Sequence, residues 1–165
     1  ETVRSVGRRS VMENSGTKME SMYLIDANTG EIIASIDSPA DKIESGVHYT
    51  GAFRSALEAA KRSGRSIIAL HNHPEGYPPS ADDIMKAAEH GYEFGIVCGS
   101  NGQVYMYRPC DGITKEMCDM IQADISSRVL NGYDVDRAYH EVFEEICRAY
   151  NEILGESKID YTILR

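Results

Sequence analysis

The sequence predicts an α+β fold in which strands and helices share one layered arrangement up to about residue 109, followed by a helical hairpin. Three observations predict it. Short β-branched and apolar runs bounded by turn residues fill the first two thirds of the chain. Two segments with apolar residues at helical spacing are interleaved among them. Beyond Pro109 the strand-like runs give way to long amphipathic patterns.

The elements follow in order. Residues 22–25 and 31–36 read as two strands joined through the turn chemistry of Asp26-Ala27-Asn28-Thr29-Gly30. From Thr50 a helix carries Phe53, Ala56, Leu57 and Ala60 at i, i+3, i+4, i+7 spacing, with Gly64 as its stop. Residues 66–70 form a continuous apolar run, as a strand buried on both faces would, and they deliver the chain into His71. After a Pro-rich loop, Ser80 opens a second helix with Ile84, Ala87 and Ala88 on one side, ending near Gly91. Residues 94–98 and 103–107 flank Ser100-Asn101-Gly102, a hairpin signal. Met117, Met120, Ile121, Ile125 and Val129 then mark one amphipathic helix, and Val135, Ala138, Tyr139, Val142, Phe143, Ile146, Ala149, Tyr150 and Ile153 a longer one, with Asn131-Gly132 between them. We therefore expect a domain over residues 1–109 and a helical extension over 110–165. The extension's apolar stripe should pack on the sheet or on its twin; the alternative is a surface for a homo-oligomer or a partner.

Composition narrows the function classes. An apolar share of 42 % with 26 % charged residues is that of a globular chain. No run approaches the ~20 apolar residues that a membrane span needs, so no membrane partner is expected. No signal peptide is legible, and a start at Glu1 rather than Met reads as an excised or processed piece. The net charge of -9 repels phosphate backbones, which disfavours direct nucleic-acid binding; Arg4, Arg8 and Arg9 read as a solvated lead-in. Cys98, Cys110, Cys118 and Cys147 lack C-x-x-C spacing, so free thiols and a cytoplasmic-type protein are expected.

The chemistry concentrates around one strand end. His71 and His73 are two apart, so on a strand both rings project to the same face. Pro74 stops the strand, and the chain returns through a loop to Ser80-Ala81-Asp82-Asp83 at a helix start, from which Asp83 can reach back to the same point. Two imidazoles and a carboxylate are the three-ligand set of hydrolytic Zn2+ sites, which keep a fourth position open for water. Such water chemistry also needs a carboxylate base, and Glu20 lies where the first strand begins. The Ser80 hydroxyl, close to the cluster, could donate to a tetrahedral oxyanion.

Glu20, followed about fifty residues later by His71-Asn72-His73-Pro74 and then by Ser80-x-x-Asp83, resembles the JAMM (MPN+) signature of zinc isopeptidases, and the string HNHP is most similar to its RadC-like, prokaryotic JAB branch. The resemblance spans about residues 20–107. It implies a JAB/MPN-type, cytidine-deaminase-like fold: a mixed, curved sheet flanked by one long helix on each side. It implies His71, His73 and Asp83 as zinc ligands, Glu20 as general base, Ser80 as the residue stabilising the tetrahedral intermediate, and a peptide or protein substrate. One departure is visible: six residues separate His73 from Ser80, one fewer than the family spacing.

Other readings compete at each position. Ser80 and Asp83 also form a capping box. Asp82 rivals Asp83 as the carboxylate ligand, and Glu13 and Glu31 stand in reserve for Glu20. His48, His90 and His140 read as surface or core residues. The contiguous letters HNH do not match the dispersed residues of HNH nucleases. The expected function is zinc-dependent hydrolysis of a peptide or isopeptide bond. The alternatives are a RadC-like module associated with DNA processing or mobile elements, and a non-catalytic MPN-type scaffold.

Overall fold

A computed structural model describes residues 2–37 and 47–164. The chain runs α1 (Thr2–Glu13), β1 (Ser21–Asp26), β2 (Ile32–Asp37), α2 (Gly51–Arg62), β3 (Ile67–His73), α3 (Ala81–His90), β4 (Phe94–Gly99), β5 (Val104–Tyr107), α4 (Lys115–Leu130), α5 (Val135–Ala149), α6 (Asn151–Leu154) and β6 (Tyr161–Leu164). The fold is α+β, as expected. Six strands form one sheet in the order β2-β1-β3-β4-β5-β6. β3 and β4 run parallel, joined by the α3 crossover, and the other neighbouring pairs among the described residues run antiparallel, so the sheet is mixed.

The helices start and stop for local reasons. Thr50 caps α2 by accepting from the Phe53 N–H, and Gly91 ends α3 in the left-handed conformation, φ 66°, that a residue without Cβ adopts cheaply. Thr114 and Asp134 cap α4 and α5 in the same way.

Strand alternation divides the core into two layers. Met22, Leu24, Ile67 and Ala69 face a large cluster that receives Phe53 and Leu57 of α2, Ile84 of α3, and Ile121 and Val142 of the C-terminal helices. Tyr23, Ile25, Ile68, Leu70 and Ile96 face the opposite layer, which is smaller and is closed by Val6 of α1. Each fully buried Leu or Ile here contributes roughly 1.5–3 kcal/mol.

The expectation of one long helix on each side needs correction. Both α2 and α3 lie on the large-cluster face, and the second face is covered by α1, which the sequence reading took for a lead-in. Arg4, Arg8 and Arg9 are indeed exposed, but on the outer side of a helix. The buried side of α1 is Val6, Gly7 and Ser10. Gly7 lets the helix sit close to the sheet, since a Cβ there would stand 2.7 Å from the Cys98 Sγ. Val3, Val6 and Val11 recur at helical spacing and pack on this layer, but Gly7 and Ser10 interrupt the stripe and leave its apolar period weak to read.

The C-terminal half differs in two details. The long second helix ends at Ala149 rather than continuing to Ile153, and a short turn, α6, follows. β6 then adds an edge strand antiparallel to β5. It is pinned by Tyr161, whose hydroxyl donates to Asp136 Oδ1 at 2.9 Å and whose ring stacks on His140 with centroids 4.5 Å apart. Residues from both sides of position 109 thus share one sheet and one core cluster. No helix among the described residues is long and apolar enough to cross a membrane.

Candidate metal centre

β3 carries both histidines to the end of the sheet on the same face, as the i, i+2 spacing requires. Their Nε2 atoms stand 3.1 Å apart. The loop after Pro74 returns to the first turn of α3, where Asp83 aims its Oδ1 at His71 Nε2 (3.4 Å) and its Oδ2 at His73 Nε2 (3.5 Å). One ligand atom from each of the three residues lies within 4.8 Å of the others, so the group could hold a metal ion. The rival carboxylate does not join them: Asp82 pairs with Lys86 Nζ at 2.6 Å.

Neighbouring groups fix two of these side chains, while His71 Nδ1 is buried without a hydrogen-bond partner. His73 Nδ1 lies 2.9 Å from the Tyr77 carbonyl oxygen. A carbonyl only accepts, so Nδ1 carries the hydrogen and a neutral His73 presents a bare Nε2 lone pair inward. The loop bearing that carbonyl is held by Ser100 Oγ donating to Pro74 O (2.7 Å) and Asn101 Nδ2 donating to Gly76 O (3.0 Å). Asp83 Oδ2 accepts from the Ser80 N–H at 2.8 Å and from the Ser80 hydroxyl at 2.7 Å. Asp83 is therefore oriented by the capping box that the S-x-x-D spacing foretold.

Such a cluster of electron-pair donors repels itself unless a cation or a proton sits among them. Burial lowers the proton affinity of His73, but the hydrogen bond and charge of Asp83 outweigh it and push its pKa up to about 9. Burial would raise Asp83, yet the charges and hydrogen bonds of His71 and then His73 hold it well below the usual carboxylate range. The pH consequence has a definite sign. His73's folded pKa lies above its ordinary ~6.5, so this stabilisation is complete below that pH and is lost as pH rises through about 9. Asp83's lowered value acts oppositely, stabilising above the usual carboxylate range and failing only in strong acid. In chelator, the melting temperature should fall between about pH 6.5 and 9, and a saturating divalent cation should reverse the fall. A melting temperature flat across that window would show that no such proton is held.

Glu20 shares this face. Met22 pairs with His71 in the β1–β3 register, and two residues earlier Glu20 comes level with His73. It lines the same pocket, of about 830 Å3, as the His pair and Asp83. Burial raises its carboxyl pKa despite the opposing charges of His71 and His73. Of the reserves, Glu31 pairs with Arg65 at 2.7 Å, and Glu13 ends α1 and is not a pocket-lining residue.

Against this geometry, no family model matches the sequence and no curated protein matches it.

Ser80 has a double engagement. Its oxygen accepts from the Asp83 N–H at 3.1 Å while its single hydrogen points to Asp83 Oδ2. An oxyanion role requires that hydrogen to be redirected. If Ser80 acts as a cap alone, Ser80→Ala costs ~1 kcal/mol and Ser80→Asp restores most of it. If it donates to an oxyanion, Ser80→Ala lowers kcat roughly 10²- to 10³-fold and the Asp variant is no better. Melting temperature and kcat measured on both variants separate the two roles.

The sequence reading missed part of the pocket wall. Lys115 and Gln122 of α4 and Tyr139 of α5 line it, so the C-terminal hairpin borders the centre. So do Tyr49 and Tyr92, whose hydroxyls share a hydrogen bond of 2.7 Å. Nothing local marks these residues, because tertiary docking brings them there.

Proposed function

We propose that this pocket is a zinc-dependent hydrolase centre of the JAMM type, cleaving a peptide or isopeptide bond. One observation carries the reading: His71, His73 and Asp83 converge at a strand end, with the half-buried carboxyl of Glu20 on the same face. The donors fit the metal, being two imidazoles and a carboxylate, with His73 and Asp83 each tied by a further hydrogen bond. A zinc ion held there would supply a Lewis acid that lowers the pKa of water to ~7 and polarises the scissile carbonyl.

The chain's own residues do the rest. Glu20, its pKa raised by burial above the ordinary glutamate value, accepts a proton at its carboxylate and returns it to the departing nitrogen. Ser80 keeps Asp83 in place. The pocket between the end of β3 and α4 offers room for a peptide segment. The net charge of -9 favours a polypeptide over a nucleic acid as ligand, against the RadC-like alternative of action on DNA. The same proposal sets the protein in a reducing, cytoplasmic compartment, supported by four unpaired cysteines.

The test is elemental analysis of protein purified without chelator, followed by a peptide-library cleavage profile. About one zinc per chain and chelator-sensitive cleavage are expected. Absence of zinc after titration sinks the reading. A second reading, a non-catalytic scaffold with a partner or a second copy on its C-terminal helices, is favoured by the exposed Leu130 and Met120 of α4. It predicts association without cleavage.

A further inference from the structure

The middle residue of the His71-Asn72-His73 string points away from the centre, as strand alternation demands, and is 2 % exposed. We propose that Asn72 is a positioning residue that holds Glu20 at the metal centre; the proposal rests on reading Glu20 as the base. The β1–β3 pairing ends at Met22 and His71. Past that point the Asn72 carboxamide takes over the role of a neighbouring strand. Its Oδ1 accepts from the Ser21 N–H at 2.8 Å, and its Nδ2 donates to the Met19 carbonyl at 3.0 Å. These two backbone groups flank Glu20, so one rigid planar amide grips the chain on both sides of the base. The orientation of that amide is not arbitrary: a backbone N–H only donates and a carbonyl only accepts.

The amide is itself braced. Ser10 Oγ and Asn14 Nδ2, on and just beyond α1, donate to Asn72 Oδ1 at 2.9 and 3.2 Å. Asn14 Nδ2 also donates to Ser21 Oγ at 2.8 Å, and Ser21 Oγ donates to Asp37 Oδ1 at 2.6 Å. Ser10, Asn14 and Ser21 are all buried, so this network works in a low-dielectric layer where broken bonds are costly. It also gives a reason for the polar buried side of α1.

A merely structural role makes a different forecast from a positioning role, and three variants separate them. Asn72→Ala removes both bonds flanking Glu20, Asn72→Asp keeps the acceptor for Ser21 but loses the donor to Met19, and Ser10→Ala breaks one of the two brace bonds and neither flanking bond. The expected results for Asn72→Ala are unchanged metal stoichiometry, at least tenfold faster hydrogen exchange at the Ser21 amide, and kcat lowered about 10- to 100-fold at constant KM. Asn72→Asp should fall between it and the wild type, which covers the case in which the Ala variant does not fold. Ser10→Ala should lower the melting temperature and leave kcat unchanged. With Co2+ as a paramagnetic probe, the Glu20 carboxyl carbon resonance should move in both Asn72 variants and stay in Ser10→Ala. Equal loss of kcat in Ser10→Ala, or wild-type kcat and an unmoved Glu20 resonance in folded Asn72 variants, overturns the proposal. Should the wild type bind metal yet cleave nothing, the hydrolase reading fails while the Glu20 resonance still decides the positioning. Should it bind no metal, Ser21 exchange decides instead: unchanged in folded Asn72 variants, it overturns the proposal.

Discussion

Replacing Glu20 by Gln is expected to leave about one metal ion bound per chain while lowering kcat by roughly 10²- to 10⁴-fold, the range that a positioned general base contributes. The amide is nearly isosteric, so the pocket and the His71, His73 and Asp83 cluster should be undisturbed. What disappears is the ability to take up a proton. In the metal-free wild type burial should make this carboxyl titrate above the pH at which a solvent-exposed glutamate does, and a bound cation should lower that value again, as read from the Glu20 carboxyl carbon resonance. Wild-type rates in Glu20→Gln, with loss in a Glu13 or Glu31 variant, would move the base elsewhere.

The second large effect is expected at Asp83, where two substitutions divide its two tasks. Asp83→Asn keeps an amide oxygen for the Ser80 N–H, so α3 should stay capped, but it removes the charge that a cation needs. Metal affinity should fall by at least 10²-fold, beyond the 10- to 100-fold typical of losing an outer hydrogen bond, and turnover should fall with it. Asp83→Ala should show the same loss of metal plus a drop in stability of about 1 kcal/mol from the broken capping box. Isothermal titration with zinc together with thermal melts reads both quantities. Tight metal binding by Asp83→Asn would remove this residue from the ligand set and bring Asp82 back into consideration.

These groups were legible in the sequence because local rules govern them. His71 and His73 follow from the period of a strand, and Asp83 follows from the third position of a capped helix. The β1–β2 turn and the β4–β5 hairpin are written in Asp, Asn and Gly residues. The parts that escaped are set by contacts between distant segments. α1 docks through Val3, Val6 and Val11 with Gly7 and Ser10 between them, so its apolar stripe is broken by residues that no hydrophobic period would select. The roles of Tyr139 and Lys115 at the pocket depend on where α4 and α5 come to rest. β6 did have a local signal, since Ile159, Tyr161 and Ile163 alternate with Lys158, Asp160 and Thr162, but a short stretch at the end of a chain is a weak one.

The proposed ligands all belong to one β3–α3 unit, and this has a consequence for the order in which the molecule assembles. His71 to Asp83 is a segment of thirteen residues, so drawing its ends together costs little chain entropy. Glu20 must cross a much longer separation, and it arrives only when β1 docks on β3 and Asn72 closes over Ser21. A cation can thus be captured by a partly folded chain before the base is in place. Metal should accelerate refolding, and competence for turnover should lag behind metal uptake by the time that β1 takes to dock.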